Sequence, residues 1–308
     1  MANLKQIRKH IASVQNTGKI TKARKMVAVS KLRKSQAAVV ATRPYVNELI
    51  NVIEHLVAKS EGATHPLLRN PDEKKRAVLI VVSGDKGLCG AYNHNIVKSA
   101  KKFVAERGAN HELIRLIFVG RKAYDAMRHV EGPNIEKHLI EGGWDRPASD
   151  VALEISGKNL TEGLCKDFAE DLIDEVYILY TVFKSAIAQS VVLDGVLPLQ
   201  SIISNCDADG KPLFTAEEKE RLDDTSYIYE PSNHEILDIL LPRAVAIHVQ
   251  RSLLEGLASE NGARMTAMDN ASRNATEMIG RLTLQFNRAR QAAITTELNE
   301  VVSGAEAL

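Results

Sequence analysis

The sequence predicts an α/β domain inserted between two long helices that pair as an antiparallel coiled coil. Three observations predict it. Apolar residues recur alternately three and four apart along both ends of the chain, the middle alternates buried-strand runs with amphipathic ones, and each heptad stretch is too long for one compact domain.

The first helix runs from Leu4 to about Leu56, with a seam of Leu4, Ile7, Ile11, Val14, Ala28, Leu32, Val39, Val46, Leu49, Ile53 and Leu56. Between these, Gly18, Thr21, Ser35 and Thr42 are small and Lys25 is the single charge, so a partner helix approaches closely along the middle. A mean period near 3.5 implies left-handed supercoiling. His65-Pro66 and Asn70-Pro71-Asp72 then break the pattern, making 58–76 a connection after a helical segment 1–57.

Ala77–Val82 reads as a buried strand, followed by a Gly-rich loop and an amphipathic stretch to about Arg107. Ile114–Val119 is a second strand; Ile135–Ile140, Val176–Phe183 and Ser190–Leu193 are weaker ones, and Leu160–Asp174 is helical. This β-α-β rhythm places a Rossmann-like layered α/β domain at 77–230.

After Glu230-Pro231, Ser232 is positioned to cap a second helix, 232–308, whose heptad pattern continues to about Val302. Its seam is Leu240, Ala244, Ile247, Arg251, Leu254, Ala258, Asn261, Met265, Met268, Ser272, Ala275, Ile279, Leu282, Phe286, Ala289 and Ala293. At about 1.5 Å per residue the two helices reach roughly 80 and 100 Å, and each seam is the other's only long partner. Pro44 and Pro242 each remove an internal hydrogen bond and argue against perfectly straight helices.

Composition fits this reading. Of 308 residues, 44% are apolar but only 5% aromatic, which favours aliphatic seams over an aromatic-lined pocket. A net charge of +1 conceals an arm with eleven cations and no acid: Lys5, Arg8, Lys9, Lys19, Lys22, Arg24, Lys25, Lys31, Arg33, Lys34 and Arg43 all precede Glu48. Such an arm is built to meet something acidic. Cys89, Cys165 and Cys206 form no C-x-x-C pair, as expected of reduced thiols, and the chain shows neither an apolar signal core nor a membrane-spanning run.

Catalytic chemistry finds little support. The run Ser83-Gly84-Asp85-Lys86-Gly87-Leu88-Cys89-Gly90 follows a strand and precedes a helix, where a phosphate loop would sit, but its glycines match neither Walker nor dinucleotide spacing. A tight structural turn is the expectation. The nine histidines lack metal-ligand spacing and read as mostly surface residues; Asp171, Asp174 and Glu175 read as a solvated acidic helix end; Cys89 has no partner assignable by spacing. The basic arm leaves a nucleic-acid-binding coiled coil open as an alternative, although no aromatic interleaves it before Tyr45, and an α/β enzyme with helical arms is another.

The two ends of the chain carry a resemblance. Ile7-Arg8-Lys9-His10-Ile11-Ala12-Ser13-Val14-Gln15-Asn16-Thr17-Gly18-Lys19-Ile20-Thr21-Lys22-Ala23 resembles the opening of gamma subunits of bacterial-type F-type (rotary) ATP synthases. Ala289-Arg290-Gln291-Ala292-Ala293-Ile294-Thr295-Thr296-Glu297-Leu298-Asn299-Glu300-Val301-Val302-Ser303-Gly304-Ala305 resembles their close. Asp85-Lys86-Gly87-Leu88-Cys89-Gly90 is similar to the family's strand-loop motif, and Leu237-Asp238-Ile239-Leu240-Leu241-Pro242-Arg243 to the start of its second helix.

The resemblance implies a central rotor shaft without an active site, cofactor or metal, which transmits torque between a proton-driven membrane rotor ring and a catalytic head and regulates ATPase activity and proton flow. Implied partners are the alpha and beta subunits of the alpha3 beta3 ring, an epsilon subunit and the membrane c-ring, with no nucleic acid. The implied location is peripheral, on the cytoplasmic face of the bacterial inner membrane. Implied catalytic-subunit contacts are Lys22, Arg24, Lys25, Met26, Lys31, Arg33, Lys34, Arg290, Gln291, Thr295 and Glu297. The acidic partner of the basic arm would be the carboxylate-rich lever of the catalytic subunits. The family commonly has methionine where this chain has Arg24, and a long cation there would grip a lever carboxylate more firmly. The second cysteine of the plastid thiol switch is absent near Cys206.

Overall fold

The computed structural model describes residues 4–59, 65–71, 74–108, 111–130, 135–140, 148–157, 160–185, 188–199, 230 and 232–306. Two compact units emerge, Met1–Val29 with Arg264–Leu308, and Ser30–Ala263. Helices α1 (Leu4–Lys59) and α6 (Asn233–Glu306) each contribute a stretch to both.

In the first unit the heptad positions are those that lose solvent. Thr21 and Ala28 on α1 and Met268 and Ala275 on α6 are buried, and Ile7, Ile11, Val14, Gly18, Ile279, Leu282 and Phe286 are half-buried between exposed neighbours. The pairing is antiparallel, because partner numbers fall as α1 advances: the Arg8 guanidinium lies over Phe286, Gly18 faces Ala275, and Lys25 pairs with Asp269. A Cβ at Gly18 would sit 3.5 Å from the Ala275 methyl, ordinary contact, so small residues set the close approach here without glycine being obligatory. Thr17, Thr21, Thr276 and Thr283 turn their hydroxyls back onto carbonyls of their own helix and so need no partner across the seam.

The second unit is a five-stranded sheet in the order β3-β2-β1-β4-β5. Its strands are β1 (Arg76–Val82), β2 (Leu113–Val119), β3 (Ile135–Ile140), β4 (Glu175–Phe183) and β5 (Gln189–Leu197). β1 to β4 pair in parallel and β5 is antiparallel to β4. Alternation along β1 sends Ala77, Leu79 and Val81 into a core under α2 (Tyr92–Arg107) and α3 (Arg121–Met127). Val78, Ile80 and Val82 face the opposite core, with α1, α4 (Ala148–Ser156), α5 (Thr161–Ala169) and α6. Both faces are therefore covered, which is why β1 reads as an unbroken apolar run. Ser232 begins α6 as expected: its hydroxyl accepts from the Glu235 amide at 3.3 Å and donates to the Glu235 carboxylate at 3.2 Å.

Two expectations are corrected. The helix expected over Leu160–Asp174 ends at Ala169, and β5 extends past Leu193 to Leu197. Of the acidic residues after α5, Asp171 is exposed as expected, but Asp174 and Glu175 are not part of a solvated terminus. Asp174 and Glu175 are buried at the start of β4, where Asp174 accepts from the Arg76 guanidinium at 2.7 Å and from the Lys75 and Arg76 amides at 3.0 and 2.8 Å. Glu175 pairs with Arg107 and accepts from Tyr177 at 2.8 Å. Charges cannot be left unpaired at the buried ends of parallel strands, and the arginines arrive from β1 and α2.

Burial pushes the Asp174 carboxyl up, but the Arg76 guanidinium and the two backbone amides outweigh it and hold the group below the ordinary carboxylate range. A depressed carboxylate stabilises the fold above its unfolded pKa, near about 3.9, and that contribution disappears as pH falls through the lower folded value. Asp174→Asn is expected to lower stability at pH 7 by about 2–3 kcal/mol, less than for a fully buried pair because the Arg76 side chain is 33% exposed. Urea denaturation should show the gap to wild type shrinking steadily below about pH 4; an equal gap at pH 7 and pH 3 would contradict the assignment.

Candidate functional site

At the carboxyl end of β1 the Ser83–Gly90 segment is a tight turn held by its own polar groups. The Asn93 side chain accepts from the Gly84 amide at 3.0 Å and donates to the Cys89 sulfur at 3.1 Å, and the Asp85 carboxylate accepts from the Arg121 amide at 3.1 Å. The Lys86 carbonyl faces inward and accepts from the Cys89 thiol at 3.9 Å. A Cβ at Gly87 would meet nothing within 4 Å, whereas Leu88 and Gly90 both adopt left-handed backbone, with φ of 64° and 58°. Leu88 is 55% exposed at the tip while Cys89 is buried. Across the turn, Ser83 packs so tightly on Gly120 that a Cβ there would lie 2.1 Å from the Ser83 carbonyl oxygen.

In an open parallel sheet the ligand crevice lies where successive connections leave in opposite directions. Here that point is between β1 and β4, since β1 leads to β2 on one side and the return from β3 places β4 on the other. The crevice is occupied by α6. Leu253 and Leu254 belong to one core, Ala263 packs against the other, and residues 252–262 between them are buried all round. Close passage needs glycine: a Cβ at Gly256 would be 2.9 Å from Val82 Cγ1, and one at Gly262 would be 2.8 Å from Phe183 Cε2. Tyr92 donates to the Gly256 carbonyl at 3.1 Å, Ser259 to the Thr181 carbonyl at 2.8 Å, and the Phe183 amide to Glu255 at 3.1 Å. The Glu260 carboxylate lies against Gly84, where a Cβ would be 2.6 Å from its Oε1. The place where this architecture would hold a nucleotide is filled by the chain itself.

Periodicity along the seam missed this second role. A signal was present: Ser252, Gly256, Ser259 and Ala263 repeat at intervals of four, three and four, a stripe of small residues beside the seam. Most of the described histidines are exposed, as expected, with three exceptions. His65, His111 and His248 have side chains only 11%, 8% and 12% exposed and lie beside Asp238, Glu175 and Asp194. Among the described residues no group of three or more His, Cys, Asp or Glu side chains could hold a metal ion. Cys165 is buried with its thiol pushed up to about 12, mainly by desolvation, which makes it a poor nucleophile; Cys206 lies outside the described residues.

The expected contact residues fall into groups. In the first unit Lys22, Arg24 and Met26 are exposed, Met26 by 63%. Lys25 instead faces the seam and pairs with Asp269 at 2.5 Å, and Asp269 also accepts from Arg273 at 2.8 Å. These cations hold the Asp269 carboxyl below its ordinary range, the Lys25 hydrogen bond foremost. In the same unit Arg290, Gln291, Thr295 and Glu297 are all exposed on α6. The Thr295 hydroxyl donates to the Gln291 carbonyl at 2.9 Å, so outward it offers an acceptor oxygen. Lys31, Arg33 and Lys34 belong to the second unit, with Arg33 and Lys34 exposed and Lys31 half-buried.

A profile of the ATP synthase family matches residues 3–308. The ATP synthase gamma chain of Geobacter sp. (strain M21) is 46% identical over 308 residues, spanning 100% of this chain and 99% of that one. That of Desulfitobacterium hafniense (strain DSM 10664 / DCB-2) is 43% identical over 308 residues, spanning 100% of both. Among solved structures, a chain of the Euglena gracilis mitochondrial ATP synthase, OSCP/F1/c-ring, superposes with a TM-score of 0.63 at 19% identity, covering 99% of this chain and 94% of that one. A chain of the Tetrahymena thermophila mitochondrial ATP synthase central stalk/c-ring gives 0.54 at 24% identity, covering 82% of this chain and 99% of that one; both likenesses speak to fold alone. With full-length identity well above that needed for kinship, the chain belongs to the ATP synthase gamma-chain family.

Proposed function

We propose that this chain is the central rotor subunit of an F-type ATP synthase, passing torque between a membrane c-ring and an alpha3 beta3 head and making no catalytic contribution of its own. The observation that carries the reading is end-to-end agreement with named gamma chains, including both heptad termini. An asymmetric shaft drives otherwise equivalent sites through different conformations by contacting them unequally, which is the differential interaction such a shift requires. In this reading 1–57 and 232–308 are the shaft helices, 77–230 is the globular foot carrying the Asp85–Gly90 turn, and an epsilon subunit binds beside it. Attachment on the cytoplasmic face runs, in this reading, through the complex; no described helix is long and apolar enough to cross a membrane. The crevice filled by α6 favours a role without nucleotide chemistry, and nothing in the kinship favours nucleic-acid binding.

Within this function Lys22, Arg24, Lys31, Arg33 and Lys34 offer cations to the acidic levers of the catalytic subunits, and Met26 adds an exposed apolar contact. Lys25 supports that contact from the seam through Asp269. Reversing Lys22, Arg24, Arg33 and Lys34 together to glutamate is expected to impair ATP-driven proton pumping in membrane vesicles without altering the amount of complex assembled. Each single reversal should have little effect, since an exposed pair is worth under about 1 kcal/mol. Wild-type pumping in the fourfold variant would remove the basic face from the coupling path.

Arg290, Gln291, Thr295 and Glu297 form the second contact, gripping a loop of a catalytic subunit. Arg290 offers two parallel donors to a carboxylate and its loss removes a charge-assisted bond worth about 1.5–3 kcal/mol. If that bond is made at a rate-limiting angle, turnover falls about tenfold or more. Arg290→Ala and Gln291→Ala are each expected to slow ATP hydrolysis by the assembled head with assembly intact, and unchanged turnover in both would exclude them.

A further inference from the structure

Two polar side chains of α6 bond to the sheet, a third reaches α6 from α2 and a fourth lies against the Gly84 turn; all four are buried, although an apolar helix would fill the same crevice without them. Glu255, Ser259 and Glu260 are 3%, 0% and 3% exposed, and Tyr92 is 4% exposed. Ser259 reaches the Thr181 carbonyl, Glu255 accepts the Phe183 amide at the end of β4, and Tyr92, at the start of α2, reaches the carbonyl of Gly256. Two glycines remove any spacer between the helix and the strand ends, so the bonds are held at backbone distance. Packing alone is non-directional and lets a smooth helix slide or turn; hydrogen bonds to fixed backbone groups of β4 do not. At about 100° per residue Glu255, Gly256 and Ser259 lie within roughly one third of the helix circumference, so one bond from α2 and two from β4 hold the same side of α6, and rotation of the helix about its own axis breaks all of them together.

We infer that this crevice is the joint through which the globular domain grips α6 against twist, and that Glu255 and Ser259 are positioning residues for torque transfer. The inference rests on the rotor reading proposed above. Hydrolysis by the head needs only that α6 turn freely within it, whereas pumping needs the twist on α6 to reach the globular domain against load. Loosening the joint therefore separates the two activities. A role confined to folding does not.

The test uses the full membrane-bound complex carrying Ser259→Ala, Glu255→Ala or Glu255→Gln, with Thr283→Ala, whose hydroxyl bonds only within α6, as a control. Assembled complex, ATP hydrolysis without a proton gradient, and protons pumped per ATP against an imposed gradient are each measured. Each lost buried bond loosens the joint about tenfold in its opening equilibrium, and the expected result is a drop of about twofold or more in protons per ATP at unchanged unloaded hydrolysis. Glu255→Gln keeps an acceptor for the Phe183 amide and should restore most of the ratio. Ser259→Ala, the smallest change, decides the matter where Glu255→Ala fails to assemble. Unchanged protons per ATP in Ser259→Ala, or a parallel fall of assembly, hydrolysis and pumping, would overturn the joint alone. Absence of the wild-type chain from a complex with head and ring would overturn the rotor reading and the joint with it.

Discussion

The constraint on which the second unit depends is that one stretch of α6 must be interior on every side. From Ser252 to Gly262 the helix has a coiled-coil seam on one face and the ends of β1 and β4 on another, with no solvent-facing side left. An ordinary helix in that position would need a spacing near 10 Å from the sheet, and side chains to fill it. Gly256 and Gly262 abolish that spacing, and Ser259 and Glu255 satisfy the β4 carbonyl and amide that the helix would otherwise strip of water. Glycine is a poor choice for an exposed helix, by about 1 kcal/mol relative to alanine, and serine a middling one. They make sense together, as the conditions for a helix that crosses a sheet edge at backbone contact.

Electrostatics divides along the same lines. At the amino ends of the strands, Asp174 and Glu175 are locked to Arg76 and Arg107 and serve the fold. On the early part of α1 the cations are mostly exposed and unmatched by acids of their own segment, with Lys25 drawn into the seam by Asp269. Exposed charge of one sign suits a contact that must form and release repeatedly, being weak per pair and less dependent on shape. The buried pairs could not serve that purpose, because breaking one leaves an uncompensated charge.

What the sequence made legible follows from periodicity. The heptad positions from Leu4 to Leu56 and from Leu240 to Ala293 all lose solvent, though between Leu237 and Gly262 residues off the seam are buried as well, and β1, β2 and β3 fall where apolar runs place them, because both faces of a parallel sheet are covered. Periodicity fails where one residue serves two neighbours. Glu255 and Glu260 look like surface charges of a coiled coil until the β4 amide and the Gly84 turn are brought to them by a topology that single-helix patterns do not encode. Asp174 misled for the same reason: its arginine lies 98 residues away in sequence and next to it in space. The Gly84–Gly90 segment forms the tight turn expected of it because glycine spacing is local information, whereas the helix that fills its crevice is not.

The central claim is that this chain turns as a rotor inside an ATP-hydrolysing head, and it is tested most directly by watching it turn. With the head anchored to a surface, a gold particle is attached at Lys101→Cys on the exposed face of α2, in a Cys206→Ser background. The account predicts stepwise, unidirectional rotation of the particle that starts with ATP and slows as ATP is diluted. A head that hydrolyses ATP at its normal rate while the particle stays fixed would contradict it.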